Sequence, residues 1–360
     1  MMQNNQAIPF NKENFKQIFS KEFALVIIIS VPSAIIAEFF KVPLAWFLGP
    51  MLLTSLATLM GLKTKMPKLI LSSTLILLGL YIGNYIDKNL FSQMHQWFFT
   101  SLIMLIYIIL SVLIVSKYLQ IFSKYERKTS IFSAAPGALG PLMILAEDEK
   151  KTDLSQVATS HLIRLIIIIT VFPFIVNSFY DVESVKDAQI NFSDQNITHL
   201  VLLIISSIFL IIIFDRFKIP AALLSGTLFA SGFLQISDIA SYKLSSDIID
   251  SCLLILGASV GCRFANKTFR EIARNTLHSF IATFLLVILG IIAAYLASLI
   301  IDKNFFTLLL SYCPGGIYEV AVIAIFFDLD PEFVSFHHII RLLMILFIVP
   351  IMLKIIGKKT

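Results

Sequence analysis

The chain has 360 residues, of which 58% are hydrophobic and only 14% are charged, and its formal net charge is +5. Its mean hydropathy of +0.88 lies far outside the range of water-soluble domains, in which roughly a quarter of the residues are charged. The composition therefore excludes a soluble globular protein and predicts an integral membrane protein. The basic residues lie at the ends of apolar stretches, which favours a role in membrane topology over nucleic-acid binding.

About a dozen apolar stretches follow one another along the chain, each close to the ~20 residues that cross a bilayer as a helix. The connections between them are too short for a soluble domain of about 50 residues. The sequence thus predicts an all-α polytopic membrane protein whose first span is retained and not cleaved as a signal peptide. The stretches are 23–40, 43–61, 69–86, 97–119, 130–146, 157–177, 199–214, 219–236, 248–262, 276–301, 305–327 and 333–356.

The two halves of the chain share a series of motifs at a nearly constant offset, which indicates an internal duplication. We predict a first membrane repeat at 21–177 and a second at 199–356, with a cytoplasmic segment at 1–20 and an extracytoplasmic linker at 178–198. The shared motifs are Phe40-Lys-Val-Pro43 and Phe217-Lys-Ile-Pro220, Gly79-x-x-x-Gly83 and Gly257-x-x-x-Gly261, Pro136-Gly137 and Pro314-Gly315, and His161-x-x-Arg164 and His338-x-x-Arg341.

Basic residues in short loops mark the cytoplasmic side, and equivalent loops of the two halves carry opposite bias. The loop at 63–68 has three lysines and its counterpart at 238–247 has one, whereas 87–88 has one and 263–274 has four basic residues. This pattern predicts an inverted-topology repeat with both termini cytoplasmic and about five crossings per half. Two parallel halves of six crossings, the alternative, would place the basic loop after Gly261 outside.

One stretch in each half must then fail to cross, and the stretch that contains Pro-Gly is the natural candidate. Proline lacks a backbone donor and glycine tolerates unusual dihedral angles, so a regular helix is not expected to continue through either motif. Each segment is predicted to be re-entrant or a broken helix that lines a cavity, and the alternative is a simple proline kink.

Polar groups inside apolar sequence are the candidates for a substrate-binding site. Burying an arginine costs at least a few kcal/mol, so an arginine at depth needs a partner or a cavity, unless it extends to the headgroups. The predicted binding residues are Pro136, Gly137, Gly140, His161 and Arg164 in the first half and Pro314, Gly315, Gly316, Glu319, His338 and Arg341 in the second.

Glu319 is the most deeply apolar carboxylate of the chain, and Pro141 stands at the equivalent position of the first half. It suits coupling to a proton or cation, or a structural role as the partner of Arg341 or of a freed backbone donor. The three cysteines, at 252, 262 and 313, lack metal-ligand spacing. We predict no catalytic residue, no metal site and no cofactor.

These paired motifs, over residues 20–356, resemble the AbrB-type duplicated integral membrane protein family. The run from Pro314 to Glu319 matches the pattern of that family, whereas Ala138 and Pro141 depart from it. Members carry labels such as ammonia monooxygenase or AbrB family transcriptional regulator and are generally regarded as transporters. The resemblance implies a duplicated, transport-like fold and names no substrate.

We expect a secondary transporter of a small, anionic solute that works by alternating access in the cytoplasmic membrane. Its partners are then the solute and the lipid bilayer, with self-association left open, and it is not an enzyme. One alternative is an indirect role in the regulation of gene expression. Another is a metal-dependent monooxygenase subunit, which would need a histidine cluster that the six histidines do not provide in sequence.

Overall fold

A computed structural model describes residues 12–86, 90–147, 149, 151–179, 197–242, 244–265, 267 and 269–357 of the chain. In these residues every regular element is an α-helix. Most of the predicted cytoplasmic segment at 1–20 and of the predicted linker at 178–198 lies outside the described residues.

The helices of the first half have counterparts of the same order in the second half. After a short α1, the helices α2 to α8 correspond to α9 to α15. The bounds are α1 Lys12–Ile18, α2 Lys21–Phe39, α3 Ala45–Leu59, α4 Lys68–Gly83, α5 Leu90–Phe122, α6 Arg127–Ala134, α7 Leu139–Glu147 and α8 Leu154–Phe179, then α9 Ile197–Arg216, α10 Ala222–Ile236, α11 Ser246–Cys262, α12 Phe269–Ser298, α13 Phe305–Tyr312, α14 Ile317–Phe326 and α15 Pro331–Gly357.

Six helices in the described part of the chain are long and apolar enough to cross a membrane, namely α2, α5, α8, α9, α12 and α15. Helices α3, α4, α10 and α14 are shorter and also apolar. The prediction of an all-α polytopic membrane protein is confirmed at this level of description.

The duplicated Phe-Lys-x-Pro motif forms the same turn in both halves. Lys41 and Leu44 have φ angles of 53° each, and their equivalents Lys218 and Ala221 have φ angles of 55° each. The residue between lysine and proline is held in an extended conformation by the proline that follows it. The turn therefore ends α2 and α9 and sets the start of α3 and α10 through local sequence alone.

The chain divides into two compact units, and each contains helices from both halves. Unit 1 comprises the described residues of Met1–Leu90, Pro173–Thr268 and Ile325–Glu332. Unit 2 comprises the described residues of Phe91–Phe172, Phe269–Ala324 and Phe333–Thr360.

In unit 1 the helices pair across the two halves, α3 with α11 and α4 with α10. A methyl group added at Gly257 of α11 would lie 2.2 Å from the carbonyl oxygen of Phe47, and one added at Gly261 would lie 2.7 Å from Cβ of Thr54. The contact positions advance together along both helices, so α3 and α11 run parallel.

The pair of α4 and α10 has the same geometry. A methyl group at Gly79 would lie 2.6 Å from the carbonyl oxygen of Leu224, and one at Gly83 would lie 2.7 Å from that of Leu228. These helices are therefore also parallel, and the Gly-x-x-x-Gly faces serve close helix packing.

Candidate functional site

Each Pro-Gly motif interrupts a helix of unit 2. Helix α6 ends at Ala134 and α7 begins at Leu139, with Gly137 at φ +115° between them. The second interruption separates α13 from α14, and in both the second residue of Pro-Gly donates its N–H to the carbonyl two residues earlier, Gly137 to Ala135 at 2.9 Å and Gly315 to Cys313 at 2.8 Å. The same turn thus follows both short helices.

Contacts between α6 and α8 show that the first interrupted segment folds back on itself. The backbone N–H of Asp153 donates to Thr129 Oγ1 at 2.9 Å, and further along His161 Nε2 donates to the carbonyl oxygen of Phe132 at 3.0 Å. Because the contacts advance in step, α6 and α8 are parallel, and α7 must return between them.

An ion pair at the base of this hairpin leads to the same conclusion. Lys128 Nζ, at the start of α6, lies 2.5 Å from Oε2 of Glu149, which follows the end of α7. A continuous helix over the same residues would separate them by about 30 Å. The segment is therefore a helical hairpin with Pro136-Gly137 at its tip.

The second hairpin, α13 with α14, has matching contacts. Lys303 Nζ, just before α13, lies 5.5 Å from the ring centroid of Phe333 in the first turn of α15. Further along α15, His338 Nε2 donates to the carbonyl oxygen of Leu310 at 3.0 Å. Helices α13 and α15 are therefore parallel, and α14 returns.

The tips of the two hairpins meet inside unit 2. A methyl group added at Gly137 would lie 3.4 Å from the carbonyl oxygen of Gly315 and 3.1 Å from Nη2 of Arg341. The structure thus brings the Pro-Gly motif of the first half next to the Pro-Gly and His-x-x-Arg motifs of the second half.

The arginine of each His-x-x-Arg motif binds carbonyl groups that the interrupted helices leave free. Arg164 donates to the carbonyl oxygens of Ser133 and Ala135, and Arg341 donates to those of Cys313 and, at 2.7 Å, Gly315. The last carbonyls of a helix have no partner within the helix. The arginines therefore stabilise the hairpin tips while their exposed surface is only 2% and 1%, respectively.

Part of each guanidinium group remains available. The Nε atoms of Arg164 and Arg341 are buried without a hydrogen-bond partner, although a guanidinium carries five N–H donors. No ion pair with either arginine is found in the described part of the chain. The site thus holds two buried positive charges whose hydrogen-bonding capacity is not filled by the protein.

Hydroxyl groups from neighbouring helices face the same region. Tyr107 of α5 interacts electrostatically with both Arg164 and Arg341 and lies near Ser111. The hydroxyl groups of Tyr107, Ser111 and Ser133 are all buried, and none of them makes a hydrogen bond of good geometry. None of the three was predicted from the sequence, since a single hydroxyl in an apolar span is too common to single out.

Glu319 lies in the first turn of α14 and is buried. Its carboxylate folds back over Gly316, where a methyl group would lie 1.9 Å from Oε2. A carboxylate at a helix N-terminus interacts favourably with the helix dipole. The first half has Ala138 and Pro141 at these two positions. The glutamate at 319 needs a residue without a side chain at 316, so these two differences between the halves are linked.

The remaining predicted residues separate into two groups. Pro136 and Pro314 are buried at the tips, and His161 and His338 are buried against the ends of α6 and α13. Gly140, the second residue of α7, is exposed, and a methyl group there would meet nothing within 4 Å.

Among the described residues, no set of three or more histidine, cysteine, aspartate or glutamate side chains comes together. Cys252, Cys262 and Cys313 are free thiols. The chemistry that the geometry offers is the binding of negative charge by guanidinium, hydroxyl and backbone N–H groups.

Comparison with known proteins places the chain in a family. The model of the family described as "Transition state regulatory protein AbrB" matches residues 2–83 and 46–357. The chain is 23% identical over 291 residues to "Uncharacterized protein YhjN" of Bacillus subtilis (strain 168), which covers 76% of this chain and 75% of that protein. It is 20% identical over 317 residues to "Putative regulator AbrB" of Escherichia coli (strain K12), covering 88% and 90%, respectively. No solved structure matches the chain significantly.

Proposed function

The chain belongs to the AbrB family, and we propose that it is a secondary transporter of a small anion, bound where the two Pro-Gly hairpin tips meet. The observation that carries the proposal is the pair of buried guanidinium groups, Arg164 and Arg341, with unfilled donors between two interrupted helices. Non-helical backbone inside a membrane protein is tolerated where it lines a cavity or a binding site.

The parallel helix pairs of unit 1 support an inverted repeat. Successive helices joined by a short loop alternate in direction, so α3 and α4 run oppositely, as do their equivalents α10 and α11. If the two halves had the same orientation, α3 and α11 would be antiparallel. Their contacts advance in the same direction, which fits halves of opposite orientation. The distribution of basic residues in the loops then favours both termini in the cytoplasm.

In that topology the first hairpin enters from the cytoplasmic side and the second from the outside. Helices α6 and α13 each have 8 residues and so reach about 12 Å, a little under half of the ~30 Å hydrocarbon core. Two re-entrant hairpins of this height would meet near the middle of the bilayer, where a site can be opened to either side in turn.

The charges at the tips favour an anionic solute. Helices α7 and α14 both begin at the tips, at Leu139 and Ile317, and a helix N-terminus carries a partial positive charge. Arg164 and Arg341 add two buried guanidinium groups against the one carboxylate of Glu319 in the first turn of α14, so positive groups outnumber negative ones at the tips. An anion would supply the acceptors that the two Nε–H groups lack.

A two-stage experiment tests the proposal. Thermal unfolding of the purified protein is measured with sodium phosphate, sulfate, acetate or succinate against matched sodium chloride, because a ligand that binds the native state stabilises it. The anion that stabilises most is then used, in radiolabelled form, for uptake into proteoliposomes. We expect Arg341→Gln and Arg164→Gln to weaken its binding about 10- to 100-fold, as for the loss of a charged hydrogen bond.

Arg216→Gln is the matched control, since Arg216 is an exposed arginine at the end of α9 in unit 1. Its uptake should equal that of the wild type. Unchanged uptake by a correctly folded Arg341→Gln variant would exclude the anion site at the tips.

The regulatory name of the Escherichia coli relative is compatible with this proposal. A transporter can change gene expression indirectly by altering the concentration of its solute inside the cell. Uptake by purified protein in vesicles measures transport without any transcription, so it separates the two roles. A non-enzymatic function is part of the same proposal.

A further inference from the structure

His337 is a buried histidine of unit 2 that the proposed anion site does not use. It lies beside His338 on α15, and adjacent helical positions point about 100° apart, so the two rings face different helices. The Nδ1 atom of His337 lies 2.9 Å from the carbonyl oxygen of Phe333, and its Nε2 lies 2.8 Å from Thr100 Oγ1 on α5. Since a carbonyl oxygen only accepts, Nδ1 carries a hydrogen.

The hydroxyl group of Thr100 can satisfy His337 in either protonation state. When the ring is neutral, Thr100 donates its hydrogen to Nε2. When the ring carries a second proton, Nε2 donates to Oγ1, and the hydroxyl hydrogen turns to the carbonyl oxygen of Trp97, 3.0 Å away. The two states differ by the rotation of one hydroxyl group, and neither leaves a ring nitrogen without a partner.

His338 has no such freedom. Its Nε2 donates to the carbonyl oxygen of Leu310, and its Nδ1 lies 3.0 Å from Nη2 of Arg341. Because arginine can only donate, Nδ1 must accept. A second proton on His338 would direct its Nδ1–H at an N–H group of the positively charged Arg341. This ring is therefore held in the neutral state.

Aromatic rings surround His337. The centroid of the Phe333 ring lies 4.1 Å from that of the imidazole, the Phe336 ring lies 5.5 Å away and the Trp97 ring 6.2 Å away. Aromatic faces attract a cation, which offsets part of the cost of placing an imidazolium in a buried site. The Nζ atom of Lys303 lies 5.5 Å from the centroid of the Phe333 ring.

Among the described residues, the titratable groups around this site are Tyr312 of α13, His338 next to His337 on α15, and Lys303 over the Phe333 ring. The Tyr312 ring centroid lies 6.4 Å from the imidazole, and its hydroxyl donates to the carbonyl oxygen of Thr100 at 2.7 Å. The next residue, Cys313, binds Arg341 through its carbonyl oxygen. Tyr312, the last residue of α13, and Cys313 after it therefore contact Thr100 beside His337 and Arg341, respectively.

We propose that His337 is a proton-binding site that couples anion transport to proton movement. The coupling rests on the proposed function, whereas proton binding does not. In the inverted topology α15 begins on the outside, so the proton comes from external water and returns to water later in the cycle, and no other reactant is consumed. A positive charge at His337 and an anion at the arginine pair favour each other electrostatically.

Trp97 provides a direct readout, because the chain has only two tryptophans. In a Trp46→Phe background Trp97 is the single tryptophan, next to His337, and its emission can be excited selectively at about 295 nm, where tyrosine no longer absorbs. A protonated imidazole quenches indole emission. The full-length protein in lipid nanodiscs, with no solute added, is titrated from pH 9 to pH 4. We expect emission to fall along a single-proton curve, and His337→Gln to abolish the fall.

Variants of Thr100 keep the test decisive if His337→Gln does not fold. Thr100→Ser retains the hydroxyl and should leave the curve in place. Thr100→Val removes the acceptor of the protonated ring and should move the curve to lower pH. His199→Gln, which changes a half-buried histidine of unit 1, is the control and should have no effect.

Emission independent of pH in folded protein, or a curve that persists in His337→Gln, would overturn the proton site. Anion uptake is measured separately in proteoliposomes with and without an inward proton gradient. A Trp97 signal that titrates without any anion uptake would contradict the proposed transport function but still support the proton site. Uptake that the gradient does not change would refute the coupling.

Discussion

At the scale of single residues, the site depends on how the ends of two short helices are completed. Arg164 and Arg341 each bind two carbonyl oxygens at an interruption, so the same side chains build the tips and supply the positive charge. Gly137 allows this arrangement because it has φ +115° and no side chain. The backbone geometry of the tips therefore restricts which residues can occupy them, independently of any bound solute.

Gly137→Ala tests that constraint. Alanine at this φ is strained by about 1–3 kcal/mol, and its methyl group would lie 3.1 Å from Arg341 Nη2. We expect a lower unfolding temperature and little anion uptake. Gly140→Ala, three residues away, is the matched control because its methyl group has open space, and alanine favours a helix by about 0.5–1 kcal/mol. Equal behaviour of the two variants would contradict the tip geometry.

At the scale of elements, two kinds of helix interaction organise the chain. Short helices fold back as hairpins in unit 2, and parallel helices pack through glycine faces in unit 1. Neither can be derived from hydropathy alone, since both hairpins resemble ordinary membrane spans of about 20 residues in sequence. The contacts between their ends are what distinguish a hairpin from a spanning helix.

A double-cysteine experiment tests the first hairpin. Lys128 and Glu149 are in contact through the ends of their side chains, so Lys128→Cys with Glu149→Cys should be joined by a short bifunctional thiol reagent in a background free of native cysteines. Lys128→Cys with Val171→Cys is the control, because Val171 lies about 25 Å further along α8 than its start. Cross-linking of the control and not of the test pair would show that the segment spans the membrane.

Gly257→Ala tests the parallel packing of α3 and α11. A methyl group there would lie 2.2 Å from the Phe47 carbonyl oxygen, a backbone atom that cannot move away without shifting α3. We expect a destabilisation of about 1–3 kcal/mol, the usual size for overpacking. Ser251→Ala, on an exposed position of the same helix, should stay within about 0.5 kcal/mol. Unfolding of purified protein in detergent measures both.

At the scale of the whole molecule, the two halves are interleaved, because each compact unit draws helices from both. The inverted topology predicts that equivalent loops lie on opposite sides of the membrane. Lys65, between α3 and α4, and Ser241, between α10 and α11, are exposed members of such a pair. Two halves in the same orientation would place both residues on one side.

Membrane-impermeant thiol labelling of intact cells measures this difference. In a background free of native cysteines, Ser241→Cys should be labelled from outside, and Lys65→Cys should be labelled only after the cells are permeabilised. Labelling of both from the same side would contradict the inverted repeat and, with it, the meeting of the hairpins at mid-membrane.

The duplication, the membrane class and the positions of the helices could be predicted from the sequence, because apolar length and repeated motifs are local properties. The Pro-Gly and His-x-x-Arg motifs were also visible as candidates. What they contact was not, since the partner of Arg341 is a set of backbone carbonyls with no sequence signature. Tyr107, Thr100 and His337 were missed as site residues because only the packing of α5 against α13 and α15 gives them a role.

The pairing of α3 with α11 and of α4 with α10 has a consequence for how the protein is made. Helix α3 leaves the ribosome long before its partner α11 is synthesised, by roughly 10–40 s at 5–20 residues per second. Until then the faces of α3 and α4 that will receive the second half, including Thr54, Gly79 and Gly83, are uncovered in the bilayer. Unit 1 can be completed only at a late stage of synthesis, when α10 and α11 pack against α4 and α3. Until that stage the helices of the first half are inserted in the membrane without these partners.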